Sequence, residues 1–142
     1  MKPPLAMRYL SEEWAEAALR LVETDGRVRA ALGGVALSLL MVVQNPPKGS
    51  YGFIYAAFDR SGLCDYRVGH DPAKAVDGLD SPTFVVRGEY AVFAAVQSGK
   101  LSERKALLSG KLHLTGPLIK ALKHMRALEA ITKVFATIPC EV

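Results

Sequence analysis

Ser98-Gly99-Lys100-Leu101-Ser102-Glu103-Arg104-Lys105-Ala106-Leu107-Leu108-Ser109-Gly110-Lys111-Leu112-His113-Leu114-Thr115-Gly116 is divided by its glycines into short elements of distinct period. Gly99 stops whatever helix precedes it, since glycine closes a helix at little conformational cost. Ser102 stands where a side-chain oxygen can cap exposed amides, so a short helix is expected through Leu108, ended by Gly110. Lys111 to Thr115 then alternates, with Leu112 and Leu114 inward and His113 outward, which is the period of a strand. Gly116-Pro117 opens another helix, because proline is well suited to the first helical position.

On the upstream side, Tyr90, Val92, Phe93 and Val96, with Ala91, Ala94 and Ala95 between them, make a helix that is apolar nearly all round. Such a helix must be covered on several sides. Gly88 separates it from a short strand over Thr83–Val86. On the downstream side, Leu118, Ala121, Leu122, Met125, Leu128, Ile131 and Phe135 form a broad apolar stripe. Lys120, Lys123, Arg126 and Lys133 hold much of the opposite side, and Glu129 and Thr132 interrupt the stripe. A bend or partial exposure is expected there.

Farther upstream lies a β region. Val35 to Gln44 and Tyr51 to Phe58 are strand-length apolar runs joined by the turn Asn45-Pro46-Pro47-Lys48-Gly49. Leu37, Leu39, Met41 and Val43 share one face of the first run, and Leu40 and Val42 the other. In the second, Phe53 and Tyr55 oppose Ile54 and Phe58. Antiparallel sheets commonly keep one face wet, but these strands are apolar on both, so each side needs a cover. Leu63 to Val68 alternates as a half-exposed strand, and His70 to Ser81 reads as a loop. Near the N-terminus, Ser11 caps a helix whose buried face is expected to hold Trp14, Ala17, Ala18, Leu21 and Val22. Asp25-Gly26 breaks this helix, and Val28 to Leu32 forms a further short turn ended by Gly33-Gly34. The order of elements points to one α+β domain over residues 11–138, with an N-terminal extension (1–10) and a C-terminal tail (139–142).

The 142 residues, half hydrophobic and 23% charged, suit one globular domain with a sizeable core. Apolar runs such as Val35–Val43 are too short to span a bilayer. Met1-Lys2-Pro3-Pro4 does not resemble a signal peptide, and Cys64 and Cys140 have no zinc or disulfide spacing, so a cytoplasmic protein with reduced thiols is expected. The net charge of +4 sits in the C-terminal third, where Lys100 onward carries eight basic against three acidic residues. That third lacks the interleaved aromatics of a nucleic-acid surface, so no nucleic-acid partner is expected. His70, His113 and His124 lack metal-ligand spacing, no serine sits in a GxSxG turn, and neither cysteine has a sequence-apparent base. No phosphate-binding glycine loop is present. No enzyme, metal or cofactor is expected.

The run Ser98–Gly116, with its helix ending in Gly-Lys, its amphipathic helix, and Gly110-Lys111-Leu112-His113-Leu114-Thr115-Gly116 before a terminal apolar helix, resembles the signature of the sterol-carrier-protein-2 family. Pro117 departs from the Asp or Asn common after the last glycine. The resemblance implies a five-stranded, mostly antiparallel twisted sheet with helices covering one side and an apolar tunnel between sheet and C-terminal helices. It implies non-catalytic binding and transfer of a fatty acid, acyl-CoA, sterol, isoprenoid or phospholipid. On this view Phe84, Val92, Phe93, Val96, Leu108, Leu112, Leu114, Leu118, Leu122 and Met125 line the cavity. Lys100, Lys111 or Arg104 would meet an acidic head group. Lys120, Lys123, Arg126 and Lys133 would touch an anionic membrane, with Ile131, Phe135 and Ile138 inserting. The alternative is an interaction module that seats a partner helix, or a second copy as a homodimer, in the same apolar groove.

Overall fold

Alternating apolar runs organise the centre of the molecule into a sheet. In the computed structural model, which describes residues 7–33, 36–79, 81–117 and 125–141, five strands lie in the order β4-β3-β2-β5-β6. They are β2 (Leu37–Gln44), β3 (Phe53–Asp59), β4 (Gly62–Gly69), β5 (Phe84–Glu89) and β6 (Leu112–Thr115). Neighbours are antiparallel except β2 and β5, which run parallel with Leu39 opposite Phe84 and Val43 opposite Gly88. The expected five-stranded, mostly antiparallel α+β architecture is the observed one.

Helices fill one side: α1 (Glu12–Thr24), α2 (Gly26–Leu32), α3 (Tyr90–Gln97), α4 (Glu103–Leu108) and α5 (Met125–Ala136). Ser11 caps α1 by accepting from the Trp14 amide at 3.3 Å, and Ser102 caps α4 by accepting from the Lys105 amide at 3.1 Å. Met41, Val43, Ile54 and Leu112 face these helices and pack with Trp14, Ala18, Phe93 and Ala106. On the opposite face Leu40, Val42, Phe53 and Tyr55 pack under Ala75, Val76 and Leu79. The segment read as a plain loop is thus the second cover. Asp71 starts it by accepting from the Ala73 amide at 3.0 Å, and Arg67 on β4 clasps it by donating to the Asp77 carbonyl at 2.7 Å.

Two sequence expectations need correction. Gly88 does not end the fourth strand; it lies within β5, and a Cβ there would meet Leu112 Cδ2 at 2.5 Å and the Lys111 carbonyl oxygen at 3.1 Å. The close approach of β6 requires a residue with no side chain. The buried face of α1 is Trp14, Ala15, Ala18, Leu19 and Val22, with Leu21 exposed. Positions 14, 18 and 22 define a stripe with apolar neighbours on both flanks, and packing chose the other flank.

The structure also describes residues on either side of 11–138. Met7–Arg8 forms β1 and pairs in parallel with Cys140–Glu141, β7. Tyr9, Leu10 and Ile138 are core residues. The Tyr51 amide donates to the Leu10 carbonyl at 2.8 Å, and the Ser50 hydroxyl to the Tyr9 carbonyl at 2.8 Å. Leu10 adopts φ 62°, a left-handed conformation uncommon for leucine, held by those contacts. The folded unit therefore takes in described residues on both sides of 11–138.

Candidate functional site

Between the helix-facing side of the sheet and the helices lies a cavity of about 70 Å³. Met41 and Val86 form its floor, Phe93 and Val96 of α3 and Leu112 of β6 its side, and Leu128, Ile131 and Phe135 of α5 its roof. These residues converge because α3 is apolar on several faces and α5 turns its stripe toward the sheet. Gln97 ties the two helices together, donating from Nε2 to the Phe135 carbonyl at 2.7 Å. Tyr9 closes the far end, edge-on to Trp14 at 4.9 Å between ring centroids, and Phe135 meets Trp14 at 5.2 Å. Burial lifts the Tyr9 phenol far above its ordinary pKa, so it stays a neutral hydroxyl.

Outside this cavity, α4 and α5 frame a groove of about 350 Å³ that holds Leu107, Leu108 and Met125. Leu108 is 83% exposed, an unusual position for a large apolar side chain. Arg104 on α4 pairs with Glu129 on α5 at 2.9 Å across the groove. Glu103 and Thr132 line both spaces and so stand at the partition between them.

Glu103 is largely withdrawn from water. Burial raises its carboxyl pKa above the ordinary range, contact with the Thr132 hydroxyl opposes that, and the Glu129 carboxylate adds to it. The folded protein therefore holds this proton more tightly than the unfolded chain, and ionisation costs stability as pH rises past the ordinary carboxylate value. Glu103→Gln is expected to raise the Tm at neutral pH and to leave it unchanged in acid below that value. A Tm difference equal at both pH values, read by circular dichroism, would contradict this.

The expected lining residues divide. Phe93, Val96 and Leu112 line the inner cavity; Leu108 and Met125 line the outer groove. Val92 is half-buried and packs against the surrounding core. Phe84 is fully buried and Leu114 half-buried, but neither lines either space. Leu118 and Leu122, with Lys120 and Lys123, lie outside the described residues. Arg126 and Lys133 are exposed on α5, as a surface contact needs. Ile131 and Ile138 are buried and Phe135 packs on Trp14, so this apolar end is part of the core of the free protein. Of the cations expected to meet a head group, Arg104 reaches the groove but is engaged by Glu129, while Lys100 and Lys111 are exposed and line neither space.

Tyr9, Gln97, Glu103 and Thr132 are the residues that the sequence reading missed. The signal for Gln97 was its place four residues after Phe93, on the buried face of an apolar helix. For Thr132 it was the interruption of the α5 stripe.

Comparison with known proteins agrees with this geometry. Residues 65–129 match the SCP-2 sterol transfer family, a span that holds the Ser98–Gly116 run. No curated protein matches the chain in sequence. A conserved hypothetical protein of Thermus thermophilus, described as possibly a sterol carrier protein, has a similar fold, with TM-score 0.70 and 21% identity over 96% of this chain and 93% of that one. A crystal structure of sterol carrier protein 2 gives TM-score 0.70 and 22% identity over 92% of this chain and 99% of that one. The apo form of sterol carrier protein 2 from Yarrowia lipolytica gives 0.52 and 17%, over 88% of each chain.

Proposed function

We propose that this SCP-2-type chain binds one apolar lipid between sheet and helices and carries it through the cytoplasm, without catalysing a reaction on it. The match of residues 65–129 to the SCP-2 sterol transfer family supports lipid binding and transfer in general; the place and manner of binding rest on the cavity. The carrying observation is a small apolar cavity inside the fold, separated by α4 from a groove with exposed Leu108.

The cavity is small beside the ~300–1,000 Å³ of spaces that enclose drug-sized ligands. A long chain therefore has to move α4 away from α5. That movement is cheap. Ala106 is the buried residue of the six-residue α4. The exposed Arg104–Glu129 pair across the groove is worth less than about 1 kcal/mol. Burying the ligand chain contributes about 0.8 kcal/mol per methylene, so a few methylenes offset the opening.

Titration with pyrene-labelled acyl, isoprenoid and sterol probes is expected to give one-to-one binding to at least one of them, with emission typical of a dry site. Amide hydrogen exchange within Glu103–Leu108, fast in the free protein because few buried contacts hold α4, is expected to slow on binding. Failure of all three probe classes, together with a concentration-dependent dimer in sedimentation, would instead favour the interaction-module reading.

A further inference from the structure

The polar side chains that line the inner cavity are few, and their chemistry is one-sided. Gln97, Glu103 and Thr132 supply them beside the phenol of Tyr9, and no Lys, Arg or His is among the described lining residues. Gln97 is engaged with the Phe135 carbonyl, and the Thr132 hydroxyl donates to the Leu128 carbonyl at 3.0 Å. Glu103 stands at the partition, where the polar end of a ligand with its tail in the inner cavity comes to rest. Beyond it, on the solvent side, the groove offers Arg104, paired with Glu129 in the free protein, and the exposed Lys133.

We propose that Glu103 is the head-group selector of this cavity, admitting a lipid that ends in an uncharged hydroxyl and turning away one that ends in a carboxylate or phosphate. The inference rests on the lipid-binding reading and narrows its ligand class. When ionised, Glu103 accepts the hydrogen of an alcohol and repels an anion. When protonated, it donates to the alcohol oxygen, while a carboxylate beside it gives up hydration and meets no cation on the described wall of the inner cavity. An uncompensated buried charge costs far more than a hydrogen-bonded hydroxyl. Both protonation states favour the alcohol. The Thr132 hydroxyl, which lies beside both Glu103 and the Leu128 carbonyl, has lone pairs free to accept from the same alcohol.

Direct titration of the full chain with pyrenedodecanol and pyrenedodecanoate at neutral pH tests this. The alcohol is expected to bind about ten-fold more tightly or better. Glu103→Gln, which keeps size and hydrogen bonding and removes the charge, is expected to narrow the preference, and Glu103→Lys to reverse it. If the lysine variant does not fold, the glutamine variant decides. Equal affinity for the two probes, or tighter binding of the carboxylate, overturns the selector while leaving lipid binding intact. A preference unchanged in Glu103→Gln takes the role away from Glu103. Binding of neither probe removes the site and the selector together.

Discussion

A chain beginning at Ser11 is expected to be unable to fold, although the first periodic helix starts just there. The truncation removes β1 and with it the pairing to β7, and it removes Tyr9 and Leu10, which are 3% and 0% exposed. Truncating a buried leucine to alanine costs about 2–5 kcal/mol, and losing a buried large aromatic about 3–5. Their sum rivals the ~5–15 kcal/mol by which domains are stable. It also uncovers Trp14 and Tyr90, and it deletes the Tyr9 and Leu10 carbonyls that accept from the Ser50 hydroxyl and the Tyr51 amide. Urea denaturation followed by circular dichroism is the check. The full chain should unfold cooperatively, and the one beginning at Ser11 should show no folded baseline. Equal midpoints would mean that the N-terminal segment is an appendage after all.

Trp14→Ala is the substitution with the largest expected loss, about 3–5 kcal/mol. Trp14 is fully buried between Tyr9 and Phe135, so it links α1 to the N-terminal segment and to the roof of the cavity. Its Nε1–H has no hydrogen-bond partner among the described residues. Trp14→Phe therefore gives up contact area but no hydrogen bond to a described residue, and its loss should be less than half that of alanine. Comparable losses for Phe and Ala in urea titrations would mean that the indole nitrogen, and not the ring packing, holds this position.

Trp14 also shows what could be read ahead of the structure. Its spacing to Ala18 and Val22 marked a buried stripe, since helical period is local information. Whether Leu19 or Leu21 completed the stripe depended on what packed against it, and that is not local. The same division runs through the sheet. Alternation in Leu37–Val43 and Phe53–Phe58 required covers on both faces, and both exist. The cover built from Ala75, Val76 and Leu79 has no periodicity to reveal it. The terminal strands are two residues long each, too short for any pattern, and their burial is a long-range fact.

For the site, apolar periodicity placed Phe93, Val96 and Leu112 at the cavity because α3 and β6 carry clear stripes. Phe84 and Leu114 have the same character but lie off its wall, and alternation alone does not separate core from cavity lining. Glu103 was hidden for a different reason. An acid in the first turn of a short helix is what the helix dipole favours anywhere, so its position at the partition became visible only when α5 brought Thr132 beside it.

The central claim is that an apolar lipid enters the space between sheet and helices. Its most direct test is photolabelling of the full chain with hexadecanol carrying a diazirine at the far end of the tail, followed by peptide mapping. The account predicts labels on the inner wall, at Phe93, Val96, Leu112, Ile131 or Phe135, competed away by unlabelled hexadecanol. Labels confined to the outer surface, such as β4 or the exposed side of α1, or labelling that excess hexadecanol leaves unchanged, would contradict it.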